Sequence, residues 1–175
     1  MEHSYAAFFK RVALSPLEGD DFESLRLLRN QVRQWFRTSE IVSYVQQQQW
    51  RQSYLEAAGD FMFKVARQLA PDVFIGATAL YNVDTEKRNA VFGRLVIDKT
   101  KISSEKGLGL DATLATMSIA FFQLNLQSVY LEVLANNIPA IKTYQRAGFK
   151  QISESQDLLG MAITIEDFFE VLSRS

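Results

Sequence analysis

The sequence predicts an α+β fold with a mixed sheet and helices on both faces. Three strand-like runs at residues 61–66, 73–83 and 88–98 follow one another with turn residues between the last two. Beyond Gly107 the pattern becomes helix, short apolar strand, helix. That β–α–β–α order implies a parallel pairing between the strand at 88–98 and the one at 128–133. With 3 Pro and 8 Gly, and no linker, long charge run or internal repeat, the chain reads as one continuous domain over residues 1–175.

The elements follow in order. Residues 6–14 have a strand composition and end at Ser15–Pro16. Asp20 or Asp21 caps a first helix whose apolar residues Phe22, Leu25, Leu28, Val32 and Phe36 recur at helical spacing. Ser43 followed by Gln46 spells a capping box for a second helix running to about Ala57, with Trp50 and Tyr54 on one face. A long helix starts at Gly107 and passes through Leu114, Met117, Ala120 and Phe121 to about Leu126. After the apolar strand, Pro139 suits the first turn of a helix and Gly148 the position just past its end. The tail, residues 150–173, adds one or two strands, and Thr164-Ile-Glu-Asp could equally cap a short helix.

Composition excludes much. Lys+Arg at 19 against Asp+Glu at 20 leaves a net charge of −1, so no basic field draws the chain onto nucleic acid. There is no cysteine, hence no disulfide framework, thiolate nucleophile or cysteine-ligated metal. The single histidine, His3, lies in a terminal segment expected to be mobile, which excludes a Ser–His–Asp triad and a two-histidine metal site. No metal is expected. Residues 108–122 are apolar but carry Asp111, Thr113, Thr116 and Ser118, the pattern of a buried helix and not of a membrane span. Acid and base appear early, and residues 6–9 are too short for the core of a signal peptide, so the expected location is cytoplasmic.

Lys106-Gly107-Leu108-Gly109 follows a strand and opens a helix. Two glycines let backbone N–H groups converge where the helix dipole is positive, an anion site suited to a pyrophosphate. Plain loop geometry is the alternative. No Gly-Lys-Ser/Thr follows, so this is not a Walker A loop, and Ala112 breaks the dinucleotide fingerprint.

Further on, Asn137-x-x-Ala140-Ile141-x-x-Tyr144-x-x-x-Gly148-Phe149 closely resembles the C-terminal motif of the GCN5-related N-acetyltransferase (GNAT) superfamily. Lys106-Gly-Leu-Gly109 sits where that family carries its Arg/Gln-x-x-Gly-x-Gly/Ala acetyl-CoA loop. The order of strand, glycine turn, helix, strand and helix matches over residues 90–149. Upstream, Leu28-Arg-Asn30, Val32-Arg33, Trp35-Phe36, Ile41 and Gln49-Trp50 look like the paired N-terminal helices of one branch. That branch holds ribosomal-protein alanine acetyltransferases and nucleotide-linked amino-sugar acetyltransferases.

The resemblance implies a GNAT-like mixed, mostly antiparallel sheet whose fourth and fifth strands are parallel and splay apart. The pantetheine arm of acetyl-CoA, the implied co-substrate, fills the gap like a missing strand. Backbone N–H groups at Leu95, Val96 and Ile97 would then bond the pantetheine and the thioester oxygen, and Lys106, Gly107, Leu108 and Gly109 would hold the pyrophosphate. Asn137 would contact the pantetheine arm, and the Tyr144 hydroxyl would protonate the departing thiolate. Acyl transfer to an amine needs alignment, a polarised carbonyl, a neutral amine and a proton donor, so the lack of Cys and near lack of His are no obstacle. Each residue has a plainer reading, Tyr144 as a core aromatic and Asn137 as a helix cap. There are departures too. Ser104 replaces the family's Arg or Gln, the loop 99–105 is longer, and Lys106 is left to supply the phosphate charge. Val91 stands where relatives often carry Glu on the fourth strand. The base then falls to Glu132, with Asp84, Glu40 or a water chain as alternatives.

For the acceptor, Arg26, Arg29, Arg33 and Arg37 recur every three or four residues on one stripe of the first helix. Arg29 and Arg33, with Trp35, are candidates to grip phosphate or carboxylate on a substrate. A solvated basic face beside Glu18, Asp21 and Glu23 is the alternative. The expected function is an acetyl-CoA-dependent N-acetyltransferase acting on a primary amine of a small molecule, such as a nucleotide-linked amino sugar. The alternatives are acetylation of a protein N-terminus and a non-catalytic acyl-CoA-binding module. Neither nucleic acid nor membrane is an expected partner, and the expected assembly is a monomer or homodimer.

Overall fold

The first strand-like run turns back on itself. Residues 6–14, read as one strand, contribute to a hairpin of β1 (Ala7–Phe9) and β2 (Val12–Pro16), because Lys10 adopts a left-handed φ of 49°. The computed structural model describes residues 3–36, 38–102 and 105–174, so Arg37 and Ser104 lie outside the described residues. Helix α1 (Asp21–Gln31) buries Phe22, Leu25 and Leu28. Its apolar stripe stops short of Phe36, because a 3-10 turn over Arg33–Trp35 follows Val32. Helix α2 (Tyr44–Glu56) starts with the expected capping box: Ser43 Oγ accepts from Gln46 N–H at 3.3 Å, and Gln46 Oε1 accepts from Ser43 N–H at 2.8 Å. Trp50 and Tyr54 stack at 5.4 Å on its inner face.

Strands β3 (Phe61–Arg67), β4 (Gly76–Asp84) and β5 (Asn89–Ile97) form an antiparallel run. β4 begins later than residue 73 because Val73 N–H is taken up by Ala70 in a turn. Helix α3 (Leu108–Ser118) is shorter than the sequence suggests. It ends in a π-turn over Ile119–Gln123, where Leu124 N–H bonds Ile119 O at 2.9 Å. β6 (Ser128–Leu134) and α4 (Ile138–Arg146) follow as expected. The tail supplies two strands and a helix together: β7 (Lys150–Glu154), β8 (Leu158–Thr164) and α5 (Ile165–Ser173), the last capped by Thr164 and Asp167.

The sheet runs β1-β2-β3-β4-β5-β6-β8-β7, mostly antiparallel, with a parallel step between β5 and β6. Strand alternation divides the core. Met62, Ala77, Ala79 and Val96 face α1 and α2 with Phe22, Leu25 and Tyr54, whereas Phe63, Leu80 and Phe92 pack with Leu108, Met117 and Phe168 beneath the other helices. His3 departs from expectation. It packs against Tyr5, Phe61 and Phe63, with Nε2 3.1 Å from Met62 O, and desolvation holds its pKa below the ordinary value. Among the described residues no helix is long and apolar enough to cross a membrane.

Gly148 closes α4 at φ +98°, and a Cβ there would stand 2.8 Å from Val171 Cγ2. Gly148→Ala is therefore expected to cost about 2–4 kcal/mol through backbone strain and overpacking. A thermal melt should show Tm lower by roughly 5–15 °C.

Candidate active site

The parallel pair is short. β5 and β6 are in register only at Asn89↔Ser128, Ala90↔Val129 and Val91↔Tyr130 among the described residues. Both strands continue, to Ile97 and Leu134, along a widening gap. β5 bends away at a bulge: Arg94 takes φ +54°, and the register with β4 shifts between Ala77 and Ala79. Asp98 N–H bonds Ile75 O at 2.8 Å on the side away from the gap. Strand alternation turns Val96 N–H the same way and aims the N–H groups of Leu95 and Ile97 into the gap. Of the three backbone donors expected there, two face it; Val96 points its N–H toward β4.

Tyr144 approaches from the α4 side. Asn137 Oδ1 accepts from Ala140 N–H at 3.3 Å, so Asn137 caps the helix that carries Tyr144. Tyr144 meets Phe92 edge-on at 5.8 Å and Phe149 at 6.0 Å, with 8% of its surface exposed. Burial, with a smaller effect of Tyr81, pushes its phenol up to about 12. At neutral pH it is therefore a phenol and not a phenolate. On the opposite face, next along β6 from the last paired residue of its row, stands the exposed Glu132. Tyr81 reaches the same region because Gly93 lacks a side chain; a Cβ there would lie 3.2 Å from Tyr81 Oη. The Arg94 guanidinium sits 4.6 Å over the Tyr81 ring and is held bidentately by Asp60 at 2.6 and 2.9 Å.

The glycine turn opens α3. Gly107 is its N-cap residue at φ +90°, and Asp111 N–H makes the first helical bond to Gly107 O. The preceding amides have no partner within the helix. A Cβ on Gly109 would meet nothing nearer than Ile97 Cγ1 at 4.0 Å, so the space above that glycine is open. The gap, its two inward N–H groups and this turn fit the arm and diphosphate of acetyl-CoA.

Next to the gap on the α1–α2 face is a cavity of about 500 Å³. Phe36, Trp50 and Met62 make its apolar wall, and Arg29, Glu40 and Arg94 are its charged groups. The arginine stripe predicted on α1 does not act as a row. Arg26 is paired with Glu23 at 2.6 Å and bonds Val42 O, and Arg33 donates to Asn30 O at 3.3 Å. Arg29 lines the cavity but donates to Thr38 O, Thr38 Oγ1 and Glu40 O, and desolvation lowers its pKa. The Arg26 and Arg29 guanidiniums clamp the loop between α1 and α2. Arg33 and Trp35 lie outside the cavity lining, because the 3-10 turn rotates them off the α1 stripe; Trp35 is 44% exposed.

A family model for the acetyltransferase (GNAT) domain matches residues 11–150. The chain belongs to the GNAT acetyltransferase family. Solved structures repeat its fold at low sequence identity. "Apo FdhC- a nucleotide-linked sugar GNAT" superposes with a TM-score of 0.84 at 17% identity, covering 98% of this chain and 97% of that one. Spermidine N-acetyltransferase from Vibrio cholerae, in complex with CoA and spermine, gives 0.79 at 20% identity over 91% and 98%. The Campylobacter jejuni N-acetyltransferase PseH gives 0.69 at 17% over 89% and 99%. No curated protein sequence matches the chain.

In this GNAT frame Leu95 and Ile97 lie on the β5 edge of the gap and Glu132 on the β6 side, while Tyr144 packs against Phe92 of β5 from the other face of the sheet. Lys106 is exposed beside the glycine turn. Asp84 is spent as a turn cap, its Oδ1 accepting from the N–H groups of Glu86 and Lys87 at 3.0 and 2.8 Å. Glu40 lines the cavity. The site also holds Arg94, Asp60 and Tyr81, which the sequence reading did not select. Gly93 inside a strand was the available signal, since an isolated strand glycine marks a bulge or a close approach.

Proposed function

We propose that this GNAT protein transfers an acetyl group from acetyl-CoA directly to a primary amine on a small, ring-bearing anionic acceptor, of which a nucleotide-linked amino sugar is the best fit. The observation that carries this reading is the β5–β6 gap, with Tyr144 on one face and the Trp50 cavity opening beside the other. When bound, acetyl-CoA supplies an activated thioester, so no acyl-enzyme is needed. The Leu95 and Ile97 N–H groups bond along the gap edge, the Tyr144 phenol holds the proton destined for the thiolate, and Glu132 accepts one from the incoming amine. Trp50 contributes aromatic surface to the cavity lining, against which a ring of the acceptor would pack. Arg94 is balanced by Asp60, and Arg29, engaged with Thr38 and the Glu40 carbonyl, stands against the Glu40 carboxylate, so the cavity has no negative excess of the kind that would draw a polycation. A nucleotide-linked sugar GNAT shares this fold.

Thiol release from acetyl-CoA should be measured against nucleotide-linked amino sugars, polyamines and alanine-initiated peptides. The amino sugars are expected to give the highest kcat/KM. Turnover with peptides alone would replace this reading with N-terminal acetylation, and binding of acetyl-CoA without turnover on any amine would favour a non-catalytic module. Trp50→Ala is expected to raise the acceptor KM about 5–100-fold, the scale of losing one aromatic stacking contact. The affinity for acetyl-CoA should not move.

A further inference from the structure

Arg11 stands in the turn between β1 and β2, remote in sequence from the glycine loop yet beside it in space. Its Nε donates to Asp111 Oδ2 at 2.9 Å, and its Nη2 lies 2.8 Å from the same oxygen. The Asp111 side chain, in the first turn of α3, is only 5% exposed, whereas that of Arg11 is 48% exposed. The guanidinium also occupies the space over the left-handed glycine: a Cβ on Gly107 would lie 3.1 Å from Arg11 Nη2. One edge of the fork is thus held by a buried carboxylate while the rest stays open to solvent above the turn.

This arrangement has an electrostatic logic. A bare carboxylate in the first turn of α3 would repel an anion at the same helix end, and Arg11 cancels that charge. The carboxylate in turn fixes the guanidinium, so less side-chain freedom is lost when a second anion arrives. Lys106, the cation named from the sequence, is exposed, and among the described residues no carboxylate braces it.

We propose that Arg11 is the cationic contact for the diphosphate of acetyl-CoA, taking the place of the Arg or Gln that the family carries three residues before its first glycine. Asp111 is the residue that positions it. The inference rests on the acetyl-CoA reading above and adds a contact from the N-terminal hairpin to the helix-end site.

Calorimetric titration with CoA and with 3′-dephospho-CoA tests it on three proteins: wild type, Asp111→Asn, and Arg11→Gln combined with Asp111→Asn. The double variant leaves no unpaired buried charge. It is expected to bind both ligands about tenfold or more weakly, as for the loss of a charge-assisted contact. Asp111→Asn keeps the guanidinium and is expected to bind within about threefold of wild type, the scale left when only bracing is lost. Equal weakening in the two variants would make the ion pair purely structural and overturn the proposal. Wild-type affinity in the double variant would overturn it as well. A loss confined to CoA would move the contact to the 3′-phosphate and overturn the diphosphate assignment. In the wild-type protein, the Arg11 Nε–H resonance should shift on adding either ligand; a stationary resonance counts against the proposal even if a variant folds poorly. Wild type binding neither ligand would instead overturn the acetyl-CoA reading beneath it.

Discussion

Tyr144→Phe is expected to lower kcat by roughly 10²–10⁴-fold, the scale for removing a general acid. The ring keeps its contacts with Phe92 and Phe149, so KM for acetyl-CoA should move little. Steady-state rates, with chemistry shown to be rate-limiting, check this. A variant retaining more than about a third of kcat would return Tyr144 to the role of a core aromatic. The pH dependence follows from the raised phenol, at about 12 in the fold. A raised pKa keeps the proton bound at higher pH than in the unfolded chain, so the donor stays loaded throughout the neutral range. Loss of this proton should produce no decline of kcat until pH approaches 12. The same shift contributes folding stability that is complete below the ordinary tyrosine pKa of about 10 and disappears as pH rises through the folded value.

The second large effect belongs to Gly109. The nearest atom to a Cβ there is Ile97 Cγ1 at 4.0 Å, so the protein itself can accommodate a side chain. Gly109→Val should therefore fold, with a free-state stability within about 1 kcal/mol of wild type, since valine and glycine are both poor in a helix. A branched side chain would nevertheless fill the open space over the turn and keep a diphosphate from the backbone. Acetyl-CoA is expected to raise the Tm of wild type and leave that of Gly109→Val unmoved. Undiminished stabilisation of the variant would place the diphosphate elsewhere.

Much of this architecture was legible because its signals are local. Capping boxes at Ser43 and Thr164, and the Pro139–Gly148 bracket around α4, depend on residues three to ten positions apart. The parallel step between β5 and β6 followed from chain order alone. The hairpin at Lys10 was hidden because a lysine in a left-handed turn carries no compositional mark. The arginine stripe misled for a different reason. Spacing reveals that side chains share a helix face, but the acceptors of Arg29 are carbonyls of a loop that folds back nine and eleven residues later. Likewise Trp50 of α2, Asp60 of the α2–β3 connection and Arg94 of β5 are far apart in sequence, and only tertiary packing brings them together.

The short β5–β6 pairing has a mechanical consequence. Three residue pairs join two half-sheets that are each otherwise well laddered, so the molecule carries an unzipped seam through its middle. Along that seam, peptide groups that a continuous sheet would satisfy must be hydrated whenever nothing extended lies there. A molecule that beds into the seam acts as a strap across the two halves, and folding becomes a matter of supply. At a hundredfold excess over Kd, such a strap adds about 2.7 kcal/mol to the folded state by mass action. The chain's resistance to unfolding would then rise and fall with the abundance of its own acyl donor.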